Sequence, residues 1–405
     1  MGGKKRIKLI AAAGFAAVLL LAAGCSKDGE ETVQTASPPP TAEGTASPGP
    51  TEKTDAGSGT ETKEPGTAAE GNKFDYGTID GYDVAAEGLR IPWSIDFDGS
   101  TVYVSEREGD IVVIKDGKQS RQKVQLSKAV KAIGEGGFLG LALAPDFAET
   151  GKAYAYHTYE TKGEIQNRIV LLKQEGDEWK EVSALLEGIP GARYHNGGRL
   201  AIGPDGNLYA TTGDAQKPEL AQNPDSLAGK ILRMSLEGNV PADNPFKGSY
   251  VYSYGHRNPQ GIAWDNDGKL YETEHGPSGN PGGHDELNLI TAGANYGWPD
   301  IIGDQKKEGM VSPLYHTGEP AIAPSGAAVD GNHQLLFATL LGETLYRYDT
   351  VQGGAPQPVL QGEGRLRDVK IHNGHIYVIT NNKDGRGSPK KNDDRLLILK
   401  IKAGK

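Results

Sequence analysis

The stretch from Tyr194 to Asp214 sets a histidine, His195, beside a glycine turn (Asn196-Gly197-Gly198) and ends on an acid, Asp214. Two short apolar strands lie between them, joined at Pro204-Asp205-Gly206. A hairpin of that shape returns its second strand to the level of the first, which brings Asp214 back beside His195. A carboxylate on one ring nitrogen would fix the tautomer and leave the other nitrogen as a general base. A glycine-flanked histidine is also what a plain tight turn looks like, so the chemistry depends on what else converges there. Two other groups of residues bear on that. Arg257-Asn258 and Arg365-Leu366-Arg367 offer guanidinium forks suited to carboxylates, and strand alternation would put Arg365 and Arg367 on one face, a solvated face being the other reading. His275, His284, Asp285 and Glu286 sit in a Gly/Pro-rich stretch and invite a metal reading. Their spacing fits no compact zinc motif, and carboxylates in such loops favour calcium.

The elements that must position these residues repeat. An alternating apolar strand, a turn with Asp-Gly or a close relative, and a strand containing Tyr recur at 91–104, 141–156, 200–209, 261–271 and 369–377, with a weaker copy at 326–337. Intervals of roughly 40–65 residues suit four short antiparallel strands per copy. The chain has 57 glycines and 24 prolines, enough for many turns, and no strong helical periodicity. The expectation is an all-β chain, a six-bladed β-propeller of four-stranded antiparallel sheets, with seven blades as the competing count. Loops on one face of a propeller converge on its axis, so residues far apart in sequence can share one site.

The N-terminal part has another character. A basic start (Lys4, Lys5, Arg6, Lys8), an apolar run over 9–23 and Gly24-Cys25 predict a signal peptide over 1–24. Leu21-Ala22-Ala23-Gly24-Cys25 resembles a bacterial lipobox, with Ala22 where leucine is usual, and implies lipid attachment at Cys25. Cys25 is the single cysteine, which excludes a disulfide within the chain. Residues 25–73 are Thr, Ser, Pro, Gly, Glu and Lys with almost no large apolar side chain, the composition of a disordered tether. Residues 74–405 are then the propeller, exported and lipid-anchored on the extracytoplasmic face. A net charge of −10 and the lack of a long basic patch give no reason to expect nucleic acid.

Several motifs recur together in order: 134–140 with 144–147, the His195 segment, 226–233 with 243–246, then 254–261 running on to 274–277, 285–288 and 295–299, and last 364–369. In this combination the chain resembles the soluble quinoprotein glucose/sorbosone dehydrogenases, the aldose sugar dehydrogenase family. The resemblance implies a six-bladed propeller carrying pyrroloquinoline quinone (PQQ) and calcium, and oxidation of an aldose at C1 with electrons passed to an external acceptor. It implies His195 as the base and Asp214 as its partner. Arg257, Asn258, Arg365 and Arg367 would meet the cofactor, as would Glu135 and His275, which stand where the family has glutamines. The carbonyls of Gly276 and Pro277 would hold the calcium on the quinone. Glu286 (side chain) and Tyr296 (carbonyl) would hold a second, structural calcium. The family's quinone-contacting lysine falls near Leu341, and its aromatic loop offers His316, Glu319 and Ala321 here. These departures keep open a propeller that has retained the fold and calcium but only binds a glycan or a protein partner. A calcium-dependent propeller hydrolase would leave the arginine cluster without a role.

Overall fold

Twenty-four strands and two four-residue helices make up residues 72–279 and 282–401, the part of the chain that the computed structural model describes. The signal peptide, Cys25 and nearly all of the tether lie outside the described residues. Strands form where β-branched and aromatic residues cluster, as in Thr101–Glu106 and Asp110–Lys115, and two-residue turns connect many of them. The turn after Asp110–Lys115 is typical. Asp116 and Gly117 have φ of 50° and 70°, the paired left-handed conformation whose twist matches a right-handed hairpin.

Three sheets of four strands occupy residues 200–254, 259–316 and 324–361. A fourth joins Leu366–His372, His375–Thr380 and Leu396–Ile401 to Ile79–Ala86 from the start of the described chain, so the two ends of the fold meet in one sheet. The fifth sheet has eight strands. It consists of two antiparallel four-strand runs, 92–125 and 138–190, joined by parallel pairing of Lys123, Val124 and Gln125 with Glu178, Trp179 and Lys180. The strands Pro92–Asp98, Phe138–Leu143, Leu200–Ile202, Pro259–Trp264, Pro324–Val329 and Leu366–His372 pack each against the next, and the last packs against the first. The fold is propeller-like.

The core is divided accordingly. Tyr103, Phe138, Phe147 and Trp179 fill the gap between the 92–125 and 138–190 strands. Tyr271, Leu287, Leu335 and Phe337 fill the gap between the sheets at 259–316 and 324–361. Each sheet is therefore covered on both faces, which explains nearly continuous apolar runs such as Asp-Ile-Val-Val-Ile at 110–114. Truncating a fully buried wedge such as Phe337 would cost about 3–5 kcal/mol.

Five of the six inner strands carry a register shift near their start: at Pro92/Ser94, Phe138/Leu141, Pro259/Gly261, Pro324/Ala327 and Leu366/Asp368. Such bulges re-aim side chains and favour sites over regular pairing. All five lie at the same end of the ring.

Candidate active site

The segments that enter the inner strands, together with loops after the second strands, enclose a cavity of about 330 Å³. Its lining includes Glu135, His195, Arg257, His275, Gly276, Pro277, Leu341 and Arg365. A larger hollow, about 410 Å³, opens at the other end of the ring between Leu143, Ile262 and Val329, and none of the residues with candidate chemistry reaches it.

His195 sits at φ 61°, left-handed for a non-glycine residue, held where its own N–H donates to Glu135 Oε2 at 3.1 Å. The hairpin does bring Asp214 back: His195 Nδ1 lies 2.8 Å from Asp214 Oδ1. This close return needs Gly213, because a Cβ there would stand 2.1 Å from the His195 carbonyl oxygen. Asp214 is fully buried, and its Oδ1 also accepts from Gln216 N at 2.7 Å, while its Oδ2 accepts from Trp298 Nε1 at 2.9 Å. An acceptor surrounded in this way by donors holds Nδ1–H toward itself, leaving Nε2 as the acceptor nitrogen.

Beside this pair the cavity turns cationic, with the Arg257 carbonyl accepting from Asp214 N at 2.8 Å. Arg257 donates to the His275 carbonyl at 3.1 Å and to Ser278 Oγ at 2.9 Å, and its guanidinium lies 5.3 Å from the Trp298 ring centroid. The Arg257 N–H meets Glu274. Asn258 Nδ2 reaches Glu135 Oε2 at 3.3 Å, and Asn258 Oδ1 accepts from Gly197 N at 3.1 Å. Arg365 pairs with Asp384 at 2.8 Å and donates to the Leu340 carbonyl at 3.0 Å.

Arg367 departs from simple alternation with Arg365. It falls within the Leu366/Asp368 register shift and turns beneath the cavity, donating to Gln260 Oε1 at 2.6 Å and Ser325 Oγ at 3.3 Å. Gln260 and Ser325 lie in register shifts of their own strands, so the bulged residues meet one another and form a floor outside the cavity lining itself. Arg199 and Arg367 flank Trp93 there, with guanidinium carbons 4.1 and 5.7 Å from its ring. Arg199 pairs with Asp368 at 3.0 Å, whereas no carboxylate among the described residues pairs with Arg367. Burial pushes the Arg367 guanidinium down to about 9, so it is charged at neutral pH. Burial likewise pushes His275 down to about 4, against the pull of Glu135 and Asp285. Burial would raise Glu135, but His275, Arg386 and the His195 N–H outweigh it and hold the carboxyl at about 2.

Three nitrogens around this side are buried and bonded to nothing: Arg257 Nε, Arg367 Nε and His275 Nε2. Buried donors normally have acceptors, so the set fits an anionic group such as a tricarboxylate. Leu341 lines the same cavity and is 60% exposed.

Gly276 and Pro277 are in the cavity wall, and the Pro277 carbonyl accepts from Gly283 N at 3.2 Å. Asp285 does not supply free oxygens: it accepts from the N–H groups of Gly276, Ile322 and Ala323 at 2.6–2.8 Å. Glu286 and Tyr296 are apart from the cavity lining. Glu286 lies beside Asn288, and burial together with Glu274 pushes its carboxyl up to about 8. The Tyr296 ring stacks on His256 at 4.8 Å, and its hydroxyl donates to the Leu289 carbonyl at 2.6 Å. His284 and His316 face each other at 3.4 Å between Nδ1 atoms, outside the lining.

Sequence reasoning assigned no role to Trp298, although it lies in one of the quoted motifs; spacing cannot tell that an indole N–H closes Asp214. It also missed Arg386, in the loop before the last strand, which pairs with Glu135 Oε1 at 3.1 Å and stacks over Tyr194. An Asp-Gly-Arg-Gly run at 384–387 carries no pattern by which to find it.

Comparison with known proteins agrees with this geometry. The family described as Glucose / Sorbosone dehydrogenase matches residues 89–397. Aldose sugar dehydrogenase YliI of Escherichia coli K12 is 29% identical over 343 residues, covering 75% of this chain and 90% of that protein. Quinoprotein glucose dehydrogenase B of Acinetobacter calcoaceticus is 36% identical over 214 residues, 45% of this chain and 44% of that protein. The PQQ-bound form of aldose sugar dehydrogenase from Streptomyces coelicolor superposes with a TM-score of 0.73 at 38% identity, covering 80% of this chain and 98% of the other. The chain belongs to the glucose/sorbosone dehydrogenase family.

Proposed function

We propose that the protein is a PQQ-dependent dehydrogenase that oxidises an aldose at C1, built as a six-bladed propeller, exported and held at the extracytoplasmic membrane face by lipid on Cys25. The observation that carries the reading is a single cavity whose lining combines His195, held by Asp214, with unpaired buried nitrogens of Arg257 and His275. The blade count is supported by four four-stranded sheets plus an eight-stranded sheet that divides in two. Export and anchoring are supported by the basic, apolar and Gly-Cys succession at the N-terminus alone.

In the reaction, the C1 hydroxyl of the sugar lies against His195, whose Nε2 takes its proton while C1 releases hydride and the C1–O bond becomes a carbonyl. Asp214 and Trp298 hold the imidazole in the tautomer that can accept, and Asp214 stabilises the charge formed there. PQQ, when bound, supplies the quinone carbon that takes up the hydride. Calcium on the Gly276 and Pro277 carbonyls would polarise that quinone. Arg257, Asn258, Arg365 and Arg367 would orient the carboxylates and oxygens of the cofactor from the side and floor of the cavity.

Titrating PQQ onto the calcium-loaded protein by quinone absorbance, then following dye reduction with a panel of aldoses, tests the reading. Saturable PQQ binding and aldose-dependent dye reduction are expected. Absence of a PQQ titration, with affinity for a glycan or protein retained, would replace it with the binding-module reading.

A further inference from the structure

The strands Leu270–Glu274 and Glu286–Ile290 pair so that Glu272 faces Asn288 and Glu274 faces Glu286. Residues two apart on a strand share a face, so three carboxylates and one amide crowd one patch of an otherwise apolar sheet. Like charges directly opposite each other on a sheet are destabilising, and here Glu274 is buried and Glu286 partly buried as well. Glu274 is fully committed: Oε2 meets His256 Nδ1 at 2.9 Å and Oε1 takes the Arg257 N–H. Glu272 and Glu286 have far less. They share the Asn288 side chain, whose Nδ2 lies 3.0 Å from Glu272 Oε2 and 3.2 Å from Glu286 Oε2.

Two oxygens are left over. Glu272 Oε1 and Asn288 Oδ1 are buried in residues that are 0% exposed, and neither has a partner. Among the described residues no lysine or arginine side chain pairs with Glu272, Glu274 or Glu286. The patch thus offers unpaired, hard oxygen atoms from a carboxylate and an amide next to a second carboxylate, and it lacks a positive charge. Calcium takes six to eight oxygen ligands of this kind, from carboxylates, amide carbonyls and backbone carbonyls. A transition metal is disfavoured, because the one nearby imidazole, His256, already has both nitrogens engaged, by Glu274 and by Ser253 Oγ at 2.8 Å.

We propose that Glu272 and Asn288 supply side-chain oxygens to the calcium for which Glu286 and the Tyr296 carbonyl are the expected ligands. Glu272 acts there as a second carboxylate, so the ion is held by two negative charges and pins the middle strands of the 259–316 sheet together. The proposal rests on the calcium reading of Glu286 and Tyr296. It makes the ion independent of PQQ, since neither Glu272 nor Glu286 reaches the cavity lining.

The test uses the full chain without PQQ, stripped with chelator and dialysed against calcium. Bound calcium is measured by equilibrium dialysis and the melting temperature by circular dichroism, for the wild type, Glu272→Gln and Glu286→Gln. The wild type should bind calcium and melt higher with it. Glu272→Gln should weaken calcium binding by about tenfold or more and lose most of the calcium-dependent rise. In calcium-free buffer it should melt no lower than the stripped wild type, because it removes a buried charge, which separates a lost ligand from a failure to fold. Glu272→Gln binding calcium like the wild type while Glu286→Gln does not would overturn the role of Glu272 and leave the calcium site standing. A wild type that neither binds calcium nor shifts its melting would overturn both, with protons rather than a cation neutralising the patch.

Discussion

On the wall of the cavity that carries His195, the supporting carboxylate is filled: Asp214 accepts from His195, Gln216 and Trp298 and is fully buried. On the rest of the cavity wall and the floor, Arg257 Nε, Arg367 Nε and His275 Nε2 are just as enclosed and have no partner among the described residues. The protein alone satisfies the first arrangement; the second leaves buried donors ready for an acceptor from outside, and an anion suits them. A base that must have one tautomer at every turnover gains from being fixed in advance. A cofactor site is different, because donors that already had protein partners would have to give them up when the ligand arrives.

The sharpest break between the two walls should come from His195→Gln. With the proposed base gone and the arginines untouched, kcat should fall by about 10²–10⁴-fold while PQQ affinity, followed by quinone absorbance, stays within about threefold. An equal loss in PQQ affinity would mean that the histidine belongs to the cofactor wall, and the division drawn above would collapse.

Arg367→Met addresses the other wall. A buried guanidinium bonded only to Gln260 and Ser325 is a burden on the protein by itself, and an apolar side chain of similar length relieves it. The variant should melt at or above the temperature of the parent without PQQ, yet bind PQQ about 10–100-fold more weakly, taking a charge-assisted bond as about 1.5–3 kcal/mol. Lower stability together with unchanged affinity would make Arg367 a structural part of the floor.

The two walls also differed in how far the sequence revealed them. The His195–Asp214 pair was legible because one hairpin carries both residues, so local turn chemistry suffices to bring them together. The repeat of strand, turn and tyrosine strand was legible for the same reason, the sheets at 200–254, 259–316 and 324–361 each being built from consecutive strands. Arg367 was only half legible. Alternation assumes an unbroken strand, and the shift at Leu366/Asp368 sends it to the floor instead of beside Arg365. Arg386 and Trp298 were not assigned at all, since Arg386 meets Glu135 across 251 positions and Trp298 meets Asp214 across 84. Long-range pairs of this kind carry no local periodicity, and only the ring of inner strands brings them together.

Glu135 stands where the walls meet, and it gives the smallest and most diagnostic effect. Its Oε2 accepts from the His195 N–H and from Asn258, and so belongs to the base wall; its Oε1 pairs with Arg386 at the mouth of the cavity. Held at about 2, the carboxyl is ionised throughout the working range and opposes any tricarboxylate that enters. Glu135→Gln keeps an acceptor oxygen for the His195 N–H, so the left-handed backbone at His195 and the base geometry should survive and kcat at saturating PQQ should change by less than about twofold. The charge is lost, however, and Arg386, 45% exposed, is released to meet the ligand. PQQ should bind about 3–10-fold more tightly, with the gain shrinking at high salt because the pair sits at a solvent-facing rim. A gain that persists undiminished in salt would place the repulsion deep in the cavity. A loss of affinity would mean that Glu135 serves the cofactor wall by holding Arg386 in place, and the boundary between the two walls would then lie on the far side of this residue.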